Sequence, residues 1–228
     1  MSKLSNFLRG LLGIKHKEAV KQPEEVTEAQ AFKERCAEQS LQLSRYIELA
    51  VQLNYEVFED DSKPYNLNIV GWRGKHELDG FSDTLAVYYK YENAWRTYQW
   101  PITTRPGKFY YNNPINASGT AIMVPGQYKR CYAIRDFKGY ECLKQIKPIR
   151  VYRDADLDSE SDEDSRTIQQ GVYGIHIHRA GADSKIVHNW SAGCQVFKRR
   201  KDFEVFMWLC RKAAEEWGNS FTYTLVEN

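Results

Sequence analysis

Residues 171–197 read GVYGIHIHRAGADSKIVHNWSAGCQVF, and three of the chain's five histidines share this span with a cysteine. Val172–His178 reads as a strand, so side chains alternate faces and His176 projects to the same side as His178. A turn through residues 180–184 then returns the chain toward Ser191-Ala192-Gly193-Cys194. Gly193 permits a tight turn and a close approach beside the thiol. In cysteine chemistry the thiolate is the nucleophile, and a neighbouring imidazole lowers its pKa and later returns a proton to the leaving group. Cys194, His178 and His176 are therefore the candidate catalytic residues, and the backbone N–H groups at Gly193 and Cys194 are candidate oxyanion donors. From the residues alone, a buried structural cysteine fits the pattern equally well.

Outward from this span, residues 61–228 have a mainly β texture, with short runs separated by Gly, Pro and Asn. Strands are expected at Leu67–Trp72, Thr84–Tyr91, Trp95–Trp100, Lys108–Tyr111, Thr120–Val124, Cys131–Ile134, Ile149–Arg153, Val172–His178 and Phe221–Val226. One late helix, Asp202–Trp217, carries Phe203, Phe206, Met207, Leu209, Cys210, Ala213 and Ala214 on its apolar side. Residues 1–60 read as a separate α-helical N-terminal segment. In it Leu4, Phe7, Leu8, Leu11 and Leu12 make a short amphipathic helix with basic neighbours, and residues 1–17 could dock on a membrane surface or a protein partner, or simply pack on their own domain. A linker follows at Lys21–Glu28. A long helix then runs from about Ala29 to Leu53, with Thr27 as its cap and Phe32, Cys36, Leu43, Ile47, Ala50 and Val51 as its apolar stripe. The fold class is thus α+β, mainly β.

The 32 basic residues against 30 acidic ones leave a formal charge of +2, which gives no case for nucleic acid as the main partner. Any electrostatic argument must be local. Five cysteines without CxxC spacing read as reduced thiols, and Cys36, Cys131, Cys142 and Cys210 as small core residues. No run approaches the length of a membrane span, and the N-terminus does not read as a signal peptide, because Arg9 and two glycines interrupt it. The acidic run Asp154–Asp164 places Asp154, Asp156 and Asp158 at the spacing of a calcium loop's first ligands. Ser159 and Ser165 stand where the loop would need Gly and Glu, so a solvated acidic loop is the preferred reading.

The strand Tyr173–His178, the spacer Arg179–Trp190 and the signature Ser191-Ala192-Gly193-Cys194 resemble the L,D-transpeptidase (YkuD-type) catalytic domain. The resemblance extends over residues 66–228, through the threonine-rich Trp100–Tyr111 segment with its Pro106-Gly107 turn and through the late helix and final strand. It implies a YkuD-like β-sandwich without cofactors. It also implies Cys194 as acyl-enzyme nucleophile, His178 as base, His176 as the competing candidate, and Gly193 with Ser191 at the oxyanion turn. The implied partner is the stem peptide of bacterial peptidoglycan, at the cell wall or periplasm. The N-terminus names no delivery route; its lack of a signal peptide, together with Ala192 and Val196, favours an enzyme that others deliver, such as a phage-encoded or virion-associated one. Tyr173, Trp190 and Arg179 are candidate substrate contacts. The chain departs from the family at Ala192, where a second histidine is usual, and at Val196, where a polar residue is usual. Two rivals stay open: a zinc peptidase using His176, His178 and either His188 or Cys194, and a non-catalytic cell-wall-binding or virion module on the same fold.

Overall fold

The structure is a computed structural model that describes residues 28–227; the side chains of residues 28, 29, 31 and 32 lie outside the description. The amphipathic helix expected at residues 4–12, the Thr27 cap and Phe32 therefore fall outside the described residues. The chain divides into two units between residues 37 and 38. Helix α1, Glu28–Gln52, begins in the first and ends in the second.

In the second unit, strands β1 (Asn68–Arg73), β2 (Asp83–Tyr91) and β3 (Ala94–Thr103) are followed by a one-turn helix α2 (Lys108–Asn112) and β4 (Thr120–Met123). Then come β5 (Gly126–Phe137), β6 (Tyr140–Gln145), β7 (Ile149–Asp154), β8 (Gln169–Gly171), β9 (Ile177–Arg179) and β10 (Gln195–Phe197). Helix α3 (Arg200–Trp217) and β11 (Phe221–Glu227) end the unit. Eight strands close into a barrel in the order β1-β11-β5-β6-β9-β10-β3-β2, and β4-β7-β8 form a separate sheet. The architecture is mainly β with helices, as expected, but the principal sheet is a closed barrel where a sandwich was expected. Closure comes from two three-residue strands: β10 pairs parallel with β9 and antiparallel with β3, which joins the β6 side to the β3 side. Such short strands carry little sequence signal, and β6, β8 and β10 were not expected.

Two apolar clusters hold the unit together. One fills the space between the barrel and α3, where Phe203, Phe206, Met207, Leu209, Cys210 and Ala213 are buried. There Phe197 lies 5.1 Å from Phe206 and 5.5 Å from Phe203, ring to ring. The other packs Leu43, Tyr46 and Ala50 of α1 on Val70, Trp72, Ala86, Tyr88 and Val226, so the last half of α1 covers the outer face of β1, β2 and β11. Tyr46 stacks on Tyr88 at 5.6 Å. Of the expected α1 stripe, Leu43 and Ala50 are buried, whereas Val51 and Cys36 are exposed. No helix among the described residues is long and apolar enough to cross a membrane.

Two expected strands are something else. Lys108–Tyr111 is helical, because Tyr110 N–H closes a turn on Gly107 O and Lys108 N–H is claimed by Asp79 Oδ1 at 2.7 Å. The strand expected at Val172–His178 is reduced to β9, since Gly174 adopts φ +73° and residues 172–176 find no partner strand. If α1 belongs to the core, Tyr46→Ala should cost about 3–5 kcal/mol of unfolding free energy in urea. A loss below about 1 kcal/mol would show that α1 is an appendage.

Candidate functional site

Cys194 ends the turn that leads into β10, and His176 and His178 flank Ile177 at the start of the adjacent parallel strand β9. The Ser191–Cys194 turn is built around a wholly buried hydroxyl: Ser191 Oγ donates to Cys194 O at 2.8 Å and accepts from Gly193 N–H at 3.2 Å. Gly193 has φ +118°, and a Cβ there would sit 2.3 Å from Ala121 O, so only glycine fits. Gly107 meets the same constraint from the other side: a Cβ would lie 1.9 Å from His188 O, and its N–H donates to Ser191 O. The Pro106-Gly107 turn and the cysteine turn are thus packed backbone to backbone.

The segment between β8 and β9 has no strand partner, and Gln145 supplies its hydrogen bonds. Its buried side-chain oxygen accepts from the N–H groups of Tyr173 and Ile175 at 3.1 and 3.0 Å, and its Nε2 donates to Lys147 O and Gly171 O. This holds Gly174 O and His176 N–H against the sulfur. Cys194 S–H donates to Gly174 O at 3.6 Å, and His176 N–H donates to Sγ at 3.4 Å.

The two imidazoles are fixed in opposite tautomers. Gln145 N–H donates to His176 Nδ1 at 3.2 Å, so a neutral His176 carries its proton on Nε2. His178 Nδ1 lies 2.9 Å from Arg179 O; a carbonyl only accepts, so Nδ1 carries the proton and Nε2 is left with the lone pair. Both rings lie 5.1 Å from Phe137, but only His178 lines the cavity on which Cys194 opens. That makes His178 the available base and His176 a donor.

The cavity measures about 970 Å³, within the range of small-ligand sites. Tyr173, Arg179 and Trp190 line it, as do Tyr110, Lys138 and Arg153, which the sequence reading had not singled out. Trp190 is 43% exposed at the rim. The loop bearing it is pinned to Asp79, whose carboxylate accepts from His188 N–H and whose carbonyl accepts from Val187 N–H. His188 packs on Phe109 at 5.7 Å and does not line the cavity. Of the acidic run, Asp154 is buried and accepts from Asp162 N–H at 2.9 Å, while Asp156 and Asp158 are exposed. Among the described residues no three His, Cys, Asp or Glu side chains are placed to hold a metal.

Burial sets the protonation states. It pushes the Cys194 thiol up to about 11, opposed by the His176 N–H bond and the charge of Lys138. It lowers His178 to about 4, opposed by the hydrogen bond to Arg179 and reinforced by the charges of Lys138 and Arg179. His176 also falls to about 4, chiefly through burial. At neutral pH the pair is a thiol beside a neutral imidazole. The two opposed shifts disfavour a thiolate–imidazolium ion pair in the resting state.

The chain matches no family model, no curated protein and no solved structure.

Two outcomes follow from these contacts. Because His178 is lowered on folding, its contribution to stability is fully present above the unfolded value near 6.5 and is lost as pH falls through about 4. The wild-type unfolding free energy, less that of His178→Gln, should thus drop by up to about 3 kcal/mol between pH 7 and 4. A difference independent of pH would contradict the buried neutral imidazole. Gln145→Leu keeps the bulk but strips the amide, so it should cost about 2–4 kcal/mol and speed hydrogen exchange at Tyr173 and Ile175 before that of the barrel. Unchanged exchange at those two amides would remove Gln145 from this role.

Proposed function

We propose that the chain is a cysteine-dependent peptidase or transpeptidase of the L,D-transpeptidase type, acting at the bacterial cell wall on peptidoglycan stem peptides. The observation that carries this reading is the opening of the Cys194 thiol and the His178 ring on one cavity, with His178 held by Arg179 O in the tautomer a base requires. The YkuD-like resemblance supplies the substrate class, and the Ser191–Cys194 turn is its most specific element.

Sulfur attacks the carbonyl of the diamino-acid residue as the thiol proton passes to His178 Nε2. The tetrahedral oxyanion is assigned to the Cys194 amide, since the Gly193 amide is committed to Ser191. Collapse breaks the C–N bond to the terminal D-alanine, whose nitrogen takes the proton from His178. The thioester is then resolved by an amine, giving a cross-link, or by water, giving a shortened peptide. In the resting state the S–H faces Gly174 O, and among the described residues no hydrogen bond joins Sγ to His178. The proposal requires the S–H to turn from Gly174 O toward His178 on substrate entry, and catalytic contacts commonly tighten only in the substrate complex.

A second reading is favoured by the high thiol value: a cell-wall-binding module on the same fold, with Cys194 as an inert buried thiol. Mass spectrometry of disaccharide-tetrapeptides separates the two. Wild type should release or exchange the terminal D-alanine, Cys194→Ala should lose all activity, and His178→Gln should lose about 10²–10⁴-fold. His176→Gln should lose less than His178→Gln. Binding without turnover by the wild-type protein would favour the module.

A further inference from the structure

Three cations line the cavity, Lys138, Arg153 and Arg179, and no carboxylate lines it. Among the described residues none of the three has an ion-pair partner, whereas Arg73, Arg105, Lys129 and Arg211 each sit within 4.0 Å of an acidic side chain. Each cavity cation rests on an aromatic ring instead. Arg153 lies 4.6 Å over Tyr173, Arg179 lies 4.4 Å over Tyr140, and Lys138 lies 5.2 Å over Phe137. Stacking fixes a guanidinium plane while leaving N–H groups on its edge for a planar anion.

Two of these placements are costly without a ligand. Arg153 is only 8% exposed; it donates Nε–H to Gln169 Oε1 and Nη1–H to Gly119 O, but no described carboxylate balances its charge. A buried charge without a counter-ion disfavours the fold. Lys138 occupies the first central position of the two-residue turn between β5 and β6, with φ +53°, followed by Gly139 at φ +84°. Such a turn favours Asn or Gly at that position, and a lysine there is conformationally strained. Both features make sense if an anion completes the cavity.

We propose that Lys138, Arg153 and Arg179 form a carboxylate-binding frame that restricts the cavity's ligand to peptides carrying at least two free carboxylates near the scissile carbonyl, and rejects the same peptides once those groups are amidated. The proposal rests on the functional reading above for the peptide, and on the cavity alone for its charge. Bidentate arginine–carboxylate contacts supply the discrimination, because an amide presents N–H groups to the cations where a carboxylate presents only acceptors.

The test is calorimetric titration of the full-length Cys194→Ala protein with two synthetic tetrapeptides, L-alanyl-γ-D-glutamyl-meso-diaminopimelyl-D-alanine and its counterpart amidated on the glutamyl and diaminopimelyl carboxylates. The acid form should bind at least tenfold more tightly, with an advantage that shrinks as salt rises. Adding Arg179→Gln or Arg153→Gln should remove most of that advantage. Lys138→Asn guards against misfolding: it should raise the melting temperature by relieving the turn and still weaken acid binding at least threefold. Equal affinity for the two peptides, or acid binding unchanged in all three variants, would overturn the frame. Wild-type turnover of both peptides at equal rates would also overturn it while leaving the reaction standing. Acid-selective binding without turnover would keep the frame and reject the reaction.

Discussion

The side-chain amide of Gln145 is the contact on which the site depends. The chain must cross from β8 to β9 without a partner strand, and the N–H groups of Tyr173 and Ile175 along the way are buried or half-buried. Left unpaired, each would cost about 1–3 kcal/mol. Gln145 satisfies both with one oxygen. A second amide acts from the cysteine side: Gln195, wholly buried, donates Nε2–H to Gly193 O and accepts from Tyr223 OH at its Oε1, while its backbone N–H donates to His176 O. The two arms that meet at the sulfur are thus each tied to the barrel through a glutamine. Sulfur needs this support because its own two contacts, at 3.4 and 3.6 Å, are weak hydrogen bonds.

What could be read from the sequence was whatever has a period. The α3 face from Phe203 to Ala213 follows helical spacing, and the structure buries those residues. The alternation of β2 and β11 is interrupted by burial on both faces, yet their aromatic and β-branched content still marks them as strands. What escaped lacks a period. Strands β8 and β10 have three residues each, too few to alternate, and their pairing depends on tertiary contacts, while the six residues of β6 follow no clean alternation of buried and exposed positions. Lys108–Tyr111 has strand composition but is turned into a helix by Asp79 and Gly107, and nothing within the segment announces this. The cysteine turn was legible because Gly193 is a local requirement; the need for Gly107 comes from a segment some eighty residues away.

Global charge concealed the local field. A formal charge of +2 gave no case for nucleic acid as the main partner and left any electrostatic argument to local groups. Inside the cavity three cations without an ion-pair partner among the described residues face no carboxylate, so the local balance is far more positive than the average. Sequence cannot show this, because Lys138, Arg153 and Arg179 lie on three different strands or turns, and acidic neighbours such as Asp136 and Asp154 point elsewhere in the fold.

The same cations tie binding to the chemistry of His178. Its imidazole is oriented by a carbonyl rather than a carboxylate, so no fixed negative charge supports the imidazolium form. Lys138 and Arg179 lower its basicity further. On the proposed reading, His178 is by itself a weak base and Cys194 a weak nucleophile. Carboxylates bound at Lys138 and Arg179 would offset the two charges that depress His178 and make the imidazole a better proton acceptor. The thiol does not gain by the same route, because Lys138 is a cation that helps the thiolate. On the proposed reading, occupancy would thus favour the proton's arrival on His178 more than its departure from sulfur.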